Sequence, residues 1–168
     1  MTKIEKLSLE NLDQFLLIFK EVLKTGFPEY SEDLVNFLIE KDYAKNVFEE
    51  KLKSNQWFGF LEFIEEKPAA FLLADSLYGG VSYCNWLGVG ESYRGRGLAR
   101  DLLNRWEEEV EKAGGHKLTL ITQGRKNHDF YLKMGFKQEG FEEKSWFGLD
   151  CWIYGKVIGE PRPNLFLR

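Results

Sequence analysis

A turn rich in glycine and arginine separates two segments of different periodicity in the middle of the chain. Residues 81–89, before the turn, form an apolar run typical of a strand. After the turn, Leu98, Leu102, Trp106 and Val110 recur at every fourth position, which predicts a long helix with one apolar face. The glycine pair at 114–115 ends this helix, and residues 117–122 are again typical of a strand. The centre of the chain is therefore predicted to be strand, helix, strand.

Shorter patterns add elements on either side of this centre. Residues 4–9 indicate a first strand, and residues 12–23 carry apolar side chains at helical spacing. Ser31 is suited to cap a second helical region, which extends to residue 52 with a break at residues 43–45. The other predicted elements are strands at residues 57–64, 69–74, 136–141 and 151–158 and a short helix at residues 127–134.

The length of 168 residues corresponds to about one domain. No segment repeats, and no low-complexity linker interrupts the chain. We therefore expect residues 1–158 to form a single α+β domain, an α/β/α sandwich in which a mixed sheet has helices on both faces. Residues 159–168 are expected to be a C-terminal tail.

Composition and charge exclude several classes of protein. The formal net charge of -4 disfavours nucleic acid and acidic membranes as partners, and no segment reaches the ~18 apolar residues of a membrane span. Cys84 and Cys151 lie in apolar runs and are expected to be buried, reduced thiols of a cytoplasmic protein. The two histidines and two cysteines lack the spacing of metal ligands, so we expect no metal cofactor.

The turn itself, Arg94-Gly95-Arg96-Gly97-Leu98-Ala99, has the composition of an anion site. Glycines leave the backbone amides accessible, and the first amides of a helix lack intrahelical partners. The helix dipole and the arginines, Arg100 included, add positive potential, so a phosphate or pyrophosphate would bind here. Short glycine and arginine runs also occur in solvated turns and nucleic-acid patches, so the turn alone does not decide between these possibilities.

A second motif, Asn127-His128-Asp129-Phe130-Tyr131-Leu132-Lys133-Met134-Gly135-Phe136, follows the strand after the long helix. Because it contains both this motif and the glycine and arginine turn, the sequence resembles the GNAT superfamily of acetyl-CoA-dependent N-acetyltransferases. Their signature [QR]-x-x-G-x-[GA] is matched by Arg94, Gly97 and Ala99, and the order of elements from Ile4 to Ile158 also agrees. The resemblance implies a mostly antiparallel mixed sheet with a bulged, splayed central strand, where Gly88 permits the bulge.

The resemblance also implies roles for matching residues, with acetyl-CoA as cosubstrate. The backbones of Leu87 and Val89 would pair with the pantetheine arm, and the amides from Gly95 to Ala99 would hold the pyrophosphate. Asn127 would hydrogen-bond pantetheine near the thioester. Tyr131 would be the general acid that protonates the leaving thiolate. Without the motif, Tyr131 would be interpreted as a packed aromatic residue.

The base that deprotonates the acceptor is not identified by the sequence, because residues 81–89 contain no Asp, Glu or His. An ordered water relayed by backbone carbonyls is the first hypothesis. The alternative carboxylates, each expected to be an exposed charge, are Glu62, Asp75, Glu91 and Asp150. His128 is expected to point outward from its helix and His116 to open a strand, so neither is given a role.

The acceptor is expected to be a small-molecule primary amine that attacks directly in a ternary complex. An aromatic wall could recognise it by cation–π contacts, and its expected members are Phe27, Tyr30, Tyr83, Trp146 and Trp152. For Trp57 and Trp106, plain packing is the favoured interpretation. Alternative acceptors are a protein N-terminus or lysine, and an alternative class is a CoA-binding sensor without catalysis. The apolar tail at 165–167 would either join two copies as a homodimer or fold back on its own chain.

Overall fold

The structure, a computed structural model, describes residues 1–167. Its strands are β1 (Thr2–Lys6), β2 (Trp57–Ile64), β3 (Lys67–Asp75), β4 (Val81–Val89), β5 (Lys117–Thr122), β6 (Lys137–Glu142) and β7 (Cys151–Val157). Its helices are α1 (Leu12–Thr25), α2 (Glu32–Phe37), α3 (Lys45–Lys53), α4 (Leu98–Lys112) and α5 (His128–Lys133). Within the described part of the chain, no helix is both long enough and apolar enough to cross a bilayer.

The seven strands form one mixed sheet in the order β1-β2-β3-β4-β5-β7-β6. Strands β4 and β5 run parallel, from the pair Val81–Lys117 to the pair Cys84–Leu120. The pairs β1–β2, β2–β3, β5–β7 and β6–β7 are antiparallel. This arrangement confirms the predicted α+β class with a mostly antiparallel sheet.

The chain divides into two compact units. The first comprises residues 1–76 and 86–106. In it, α1 packs through Phe15 against Phe71 of β3, with ring centroids 5.1 Å apart. Helix α4 packs on the opposite face, where the Arg105 guanidinium lies 5.4 Å from the Phe60 ring of β2. Phe60 and Phe71 point to opposite faces because Phe60 pairs with Leu72 in the register of β2 and β3.

The predicted break in the second helical region is confirmed, and its N-terminal cap is the predicted serine. Ser31 Oγ accepts a hydrogen bond from the Leu34 amide at 3.2 Å. Helix α2 then passes into a π-helical turn over Leu38–Asp42. Tyr43 leaves the helical conformation, with φ -123° and ψ 34°, before α3 begins at Lys45. The break turns the Tyr43 ring towards Phe19 of α1, 5.5 Å away.

The second unit comprises residues 77–85 together with residues from 107 onward. Cys84, Leu120 and Tyr154 form a row across β4, β5 and β7, and all three are buried. Both cysteines are buried and neither forms a disulfide, as predicted. The tail forms a 3-10 turn over Pro163–Phe166, and the Leu165 and Phe166 side chains lie directly against Gly114 and Gly80. The described part of the tail, up to residue 167, therefore folds back on its own chain.

Glu62 contradicts the expectation of an exposed charge. Its side chain is on the same face of β2 as Phe60, beneath α4, and only 1% of its surface is exposed. Its Oε2 has no hydrogen-bond partner among the described residues. Burial raises the pKa of Glu62 to about 7, and the negative charge of Asp101 on α4 contributes to the same shift. The sequence of β2 could not reveal this, because the strand is buried on both faces and its residues do not alternate between apolar and polar.

This buried carboxyl predicts a pH-dependent stability. The folded chain retains a proton on Glu62 up to about pH 7, whereas the unfolded chain releases it near pH 4.5. Stability contributed by this group is therefore complete at low pH and is lost as the pH rises through this interval. At pH 8, Glu62→Gln is expected to raise the free energy of unfolding by about 1–3 kcal/mol relative to wild type. Urea denaturation of wild type and Glu62→Gln at pH 4.5 and pH 8 measures the free energy of unfolding.

The control for this experiment is Glu10→Gln, at an exposed position. We expect the effect of Glu62→Gln to grow between the two pH values and that of Glu10→Gln to stay near zero. An effect of Glu62→Gln that is equal at both pH values would show that Glu62 does not titrate in this interval.

Candidate active site

The turn before α4 has the geometry of an anion cradle. Gly95 and Gly97 have φ values of +76° and +86°, in the left-handed region that favours glycine. A Cβ at Gly95 would meet nothing within 4 Å, so its backbone faces open space. The first helical hydrogen bond runs from the Asp101 amide to the Gly97 carbonyl at 3.1 Å. The amides of the three preceding residues therefore lack intrahelical acceptors and can donate to an anion.

The arginines of the turn surround this backbone and all are exposed. The Arg94 guanidinium lies beside Gly26, at the end of α1. Arg96 donates to the Ser92 carbonyl at 3.3 Å and lies 5.7 Å from the Tyr93 ring. Arg100 contacts Asp101 at 3.1 Å. The positive charges therefore lie next to the free amides, which suits a polyanion such as a pyrophosphate.

The strand that precedes the turn alternates between buried and half-buried residues. Trp86 and Gly88 are buried, whereas Leu87 and Val89 are half-buried on the other face. A Cβ at Gly88 would come within 2.7 Å of the Phe71 ring, so only glycine fits there. The parallel pairing of β4 with β5 ends at Cys84, although β4 continues to Val89. The end of β4 thus leaves its ladder with β5, as expected for a splayed strand.

Tyr131 lies in the second unit, in a cluster of buried aromatic residues. Only 6% of its surface is exposed, and its ring centroid is 5.4 Å from that of Tyr154 and 6.0 Å from that of Phe136. Burial raises the pKa of Tyr131, and the proximity of Cys84 and Tyr154 contributes to the shift. The hydroxyl therefore stays protonated at any pH near neutrality, which is the state a proton donor needs.

The prediction that His128 points outward is wrong. His128 is half-buried, and its Nδ1 is hydrogen-bonded to the Tyr154 hydroxyl at 2.7 Å. This bond ties α5 to β7 and continues the cluster from Tyr131 through Tyr154. The partners are 26 residues apart in sequence, so no local pattern indicated the contact. Asn127, the residue before α5, is exposed, and its carbonyl accepts the Tyr131 amide at 3.0 Å.

The expected aromatic wall is distributed over the two units. Phe27 and Tyr30 belong to the first unit and stack with centroids 4.9 Å apart and planes at 6°. In the second unit, Trp152 packs against Phe141 at 5.2 Å and beneath the Arg125 guanidinium at 5.9 Å. The remaining two expected members, Tyr83 and Trp146, are also in the second unit and are half-buried.

The other candidate bases have separate surroundings. Asp75 is half-buried at the end of β3, and Glu91 is exposed in the short 3-10 turn before Arg94. Asp150 accepts a hydrogen bond from the Lys144 amide at 2.9 Å, which is a structural role in a loop. Over residues 1–167, no group of three His, Cys, Asp or Glu side chains is arranged to hold a metal ion.

The open mixed sheet and the exposed amides at the start of α4 define an α+β protein with an anion-binding turn. The sequence matches the family model "Acetyltransferase (GNAT) family" over residues 19–136, and the chain belongs to this family. It is accordingly an acetyl-CoA-dependent N-acetyltransferase. No curated protein matches the sequence.

Solved structures share the fold. The PaiA N-acetyltransferase of Thermoplasma acidophilum, solved in complex with coenzyme A, is similar with 24% identity and a TM-score of 0.80, over 94% of this chain and 99% of that one. The ribosomal-protein-S18-alanine N-acetyltransferase of Escherichia coli has 21% identity and a TM-score of 0.71, over 98% of each chain. An aminoglycoside 6'-N-acetyltransferase complexed with coenzyme A has 19% identity and a TM-score of 0.68, over 96% and 99%.

Proposed function

We propose that this protein transfers the acetyl group of acetyl-CoA to the primary amine of a small molecule, by direct attack in a ternary complex. The observation that carries the proposal is the turn at the start of α4, where Gly95 and Gly97 have positive φ and the space beside Gly95 is open. In the proposal, the amides from Gly95 to Ala99, those of Arg96 and Leu98 included, hold the pyrophosphate. Arg94 supplies positive charge beside it.

Further residues complete the proposed site. The half-buried Leu87 and Val89 would present backbone groups to pantetheine as a neighbouring strand would. The exposed side chain of Asn127 is free to hydrogen-bond the same arm. When bound, acetyl-CoA supplies an acetyl thioester. Tyr131 would donate its hydroxyl proton to the departing sulfur, and its raised pKa keeps that proton in place until the transfer.

The amine must be neutral to attack, so its proton passes to solvent or to a base. A water relay remains our proposal for this step. Glu62 is disfavoured because it is buried beneath α4 with 1% exposure. Neither signature motif contains a cysteine, which favours direct transfer over an acetyl-enzyme.

The names of two solved relatives differ in the acceptor they specify. One is an aminoglycoside acetyltransferase and the other acetylates an alanine of a ribosomal protein. We favour the small molecule because half-buried aromatic rings of the first unit, Phe27 and Tyr30 among them, could contact an amine-bearing ligand. A protein N-terminus or lysine is the second candidate.

A thiol-release assay tests the proposal. The protein is incubated with acetyl-CoA and a panel of small amines, N-terminal peptides and lysine peptides, and acetylated products are identified by mass spectrometry. We expect release of free CoA that depends on a small amine, with the matching acetylated product. Turnover confined to peptides would favour the second candidate. CoA binding without turnover on any acceptor would contradict catalysis and support a sensor.

A further inference from the structure

The first unit contains an aromatic wall different from the one predicted. Its members are Phe27, Tyr30, Tyr43, Trp57 and Trp86. Tyr43 and Trp57 stack with centroids 5.5 Å apart and planes at 16°. Both this pair and the stacked pair of Phe27 and Tyr30 meet Trp86 through nearly perpendicular rings, at 87° for Tyr43 and 84° for Phe27. Trp86 is buried, whereas the four other rings are half-buried and keep part of their surface in contact with solvent.

Carboxylates lie at the Tyr43 end of this wall. Charges of both signs flank Tyr43 in sequence, with Asp42 next to it and Lys41 and Lys45 two residues away, and Lys45 is paired with Asp13 at 2.6 Å. At the Tyr43 end, Asp75 is the cross-strand partner of Trp57, so its carboxylate shares a face of the sheet with that ring. Burial raises the pKa of Tyr43, and the negative charges of Asp42 and Asp75 raise it further, so both carboxylates act at the phenol. Arg94, a cation of the turn before α4, lies at the opposite end of the wall, beside Gly26.

Aromatic faces next to carboxylates attract cations, because the ring quadrupole and the negative charge act in the same direction. An anionic or neutral group would gain nothing from Asp42 and Asp75. The wall is also adjacent in sequence to the proposed cofactor site, because Trp86 immediately precedes Leu87 in β4. A ligand on this wall therefore lies next to the strand proposed to hold pantetheine.

We propose that the acceptor carries a second, cationic nitrogen, as in a diamine, and that the Tyr43 end of this wall binds it. The inference rests on the proposed function. The reacting amine is neutral, forms the new N–C bond and loses one proton to solvent, while the C–S bond breaks and the sulfur takes the proton of Tyr131. Tyr131 then regains a proton from solvent. The second nitrogen keeps its charge throughout and only positions the molecule.

Three acceptors of equal chain length test this inference: 1,4-diaminobutane, n-butylamine and 4-aminobutanoate. They differ at the far end, which is cationic, apolar or anionic. The measurement is kcat/KM at saturating acetyl-CoA, corrected for the fraction of neutral amine. We expect kcat/KM for 1,4-diaminobutane to exceed that for n-butylamine about tenfold or more, with 4-aminobutanoate the poorest acceptor.

The double variant Asp42→Asn/Asp75→Asn is expected to bring the ratio of 1,4-diaminobutane to n-butylamine close to one. The double variant Glu10→Gln/Glu111→Gln, an equal loss of two charges at exposed positions, serves as control and is expected to keep the wild-type ratio. Equal turnover of the two amines by wild type, or a ratio unchanged in the double variant, overturns the inference and leaves acetyl transfer intact. Absence of turnover with every amine contradicts the proposed function itself.

Discussion

Tyr131→Phe is expected to lower kcat by about 100-fold or more and to leave the affinity for CoA unchanged. The substitution removes one hydroxyl and keeps the ring that packs between Tyr154 and Phe136. Loss of a positioned general acid typically costs 10²–10⁴-fold, because the thiolate then leaves without a proton. Assays of thiol release measure kcat, and calorimetric titration measures the affinity for CoA.

The pH dependence adds a second readout for Tyr131. Because burial raises the pKa of its phenol, wild-type kcat is expected to rise with pH as the acceptor amine becomes neutral, without a falling limb near neutrality. The matched control is Tyr78→Phe, at a position with 91% exposure, which is expected to retain wild-type kcat. Full kcat in Tyr131→Phe would remove Tyr131 from the mechanism and return it to a packing role.

Features set by local periodicity could be predicted from the sequence. The apolar positions of α4 at every fourth residue are all buried, and Leu102 and Trp106 are completely so. The break after α2 was also predictable, because the apolar spacing changes near Tyr43. The turn before α4 could also be predicted, because glycine is the residue that adopts a positive φ at little cost.

Features that depend on contacts between distant segments could not be predicted. Burial of Glu62 results from its position beneath α4, and a strand pattern gives no information on which face a helix covers. The bond between His128 and Tyr154 joins α5 to β7. The stacking of Trp57 on Tyr43 joins residues on either side of α3 and is established only by the fold.

Gly97→Val is expected to weaken CoA binding by about 100-fold or more. At φ +86° a β-branched side chain is strained, at a cost of about 1–3 kcal/mol, and its Cβ would lie 2.8 Å from the Arg100 guanidinium. The new side chain would also cover the amides that precede the first helical hydrogen bond. Each 1.4 kcal/mol lost from binding weakens it tenfold, so obstruction of the amides that costs about 3 kcal/mol gives the expected loss, whereas the backbone strain lowers the free energy of unfolding.

Gly79→Val is the matched control, because Gly79 also has a positive φ, +58°, and a Cβ there would meet nothing within 4 Å. Calorimetric titration of CoA into wild type, Gly79→Val and Gly97→Val, with thermal unfolding of each, tests most directly whether this turn is the cofactor site. The predicted result is binding by wild type and Gly79→Val and little or no heat from a folded Gly97→Val. Binding by Gly97→Val within about twofold of wild type would contradict it.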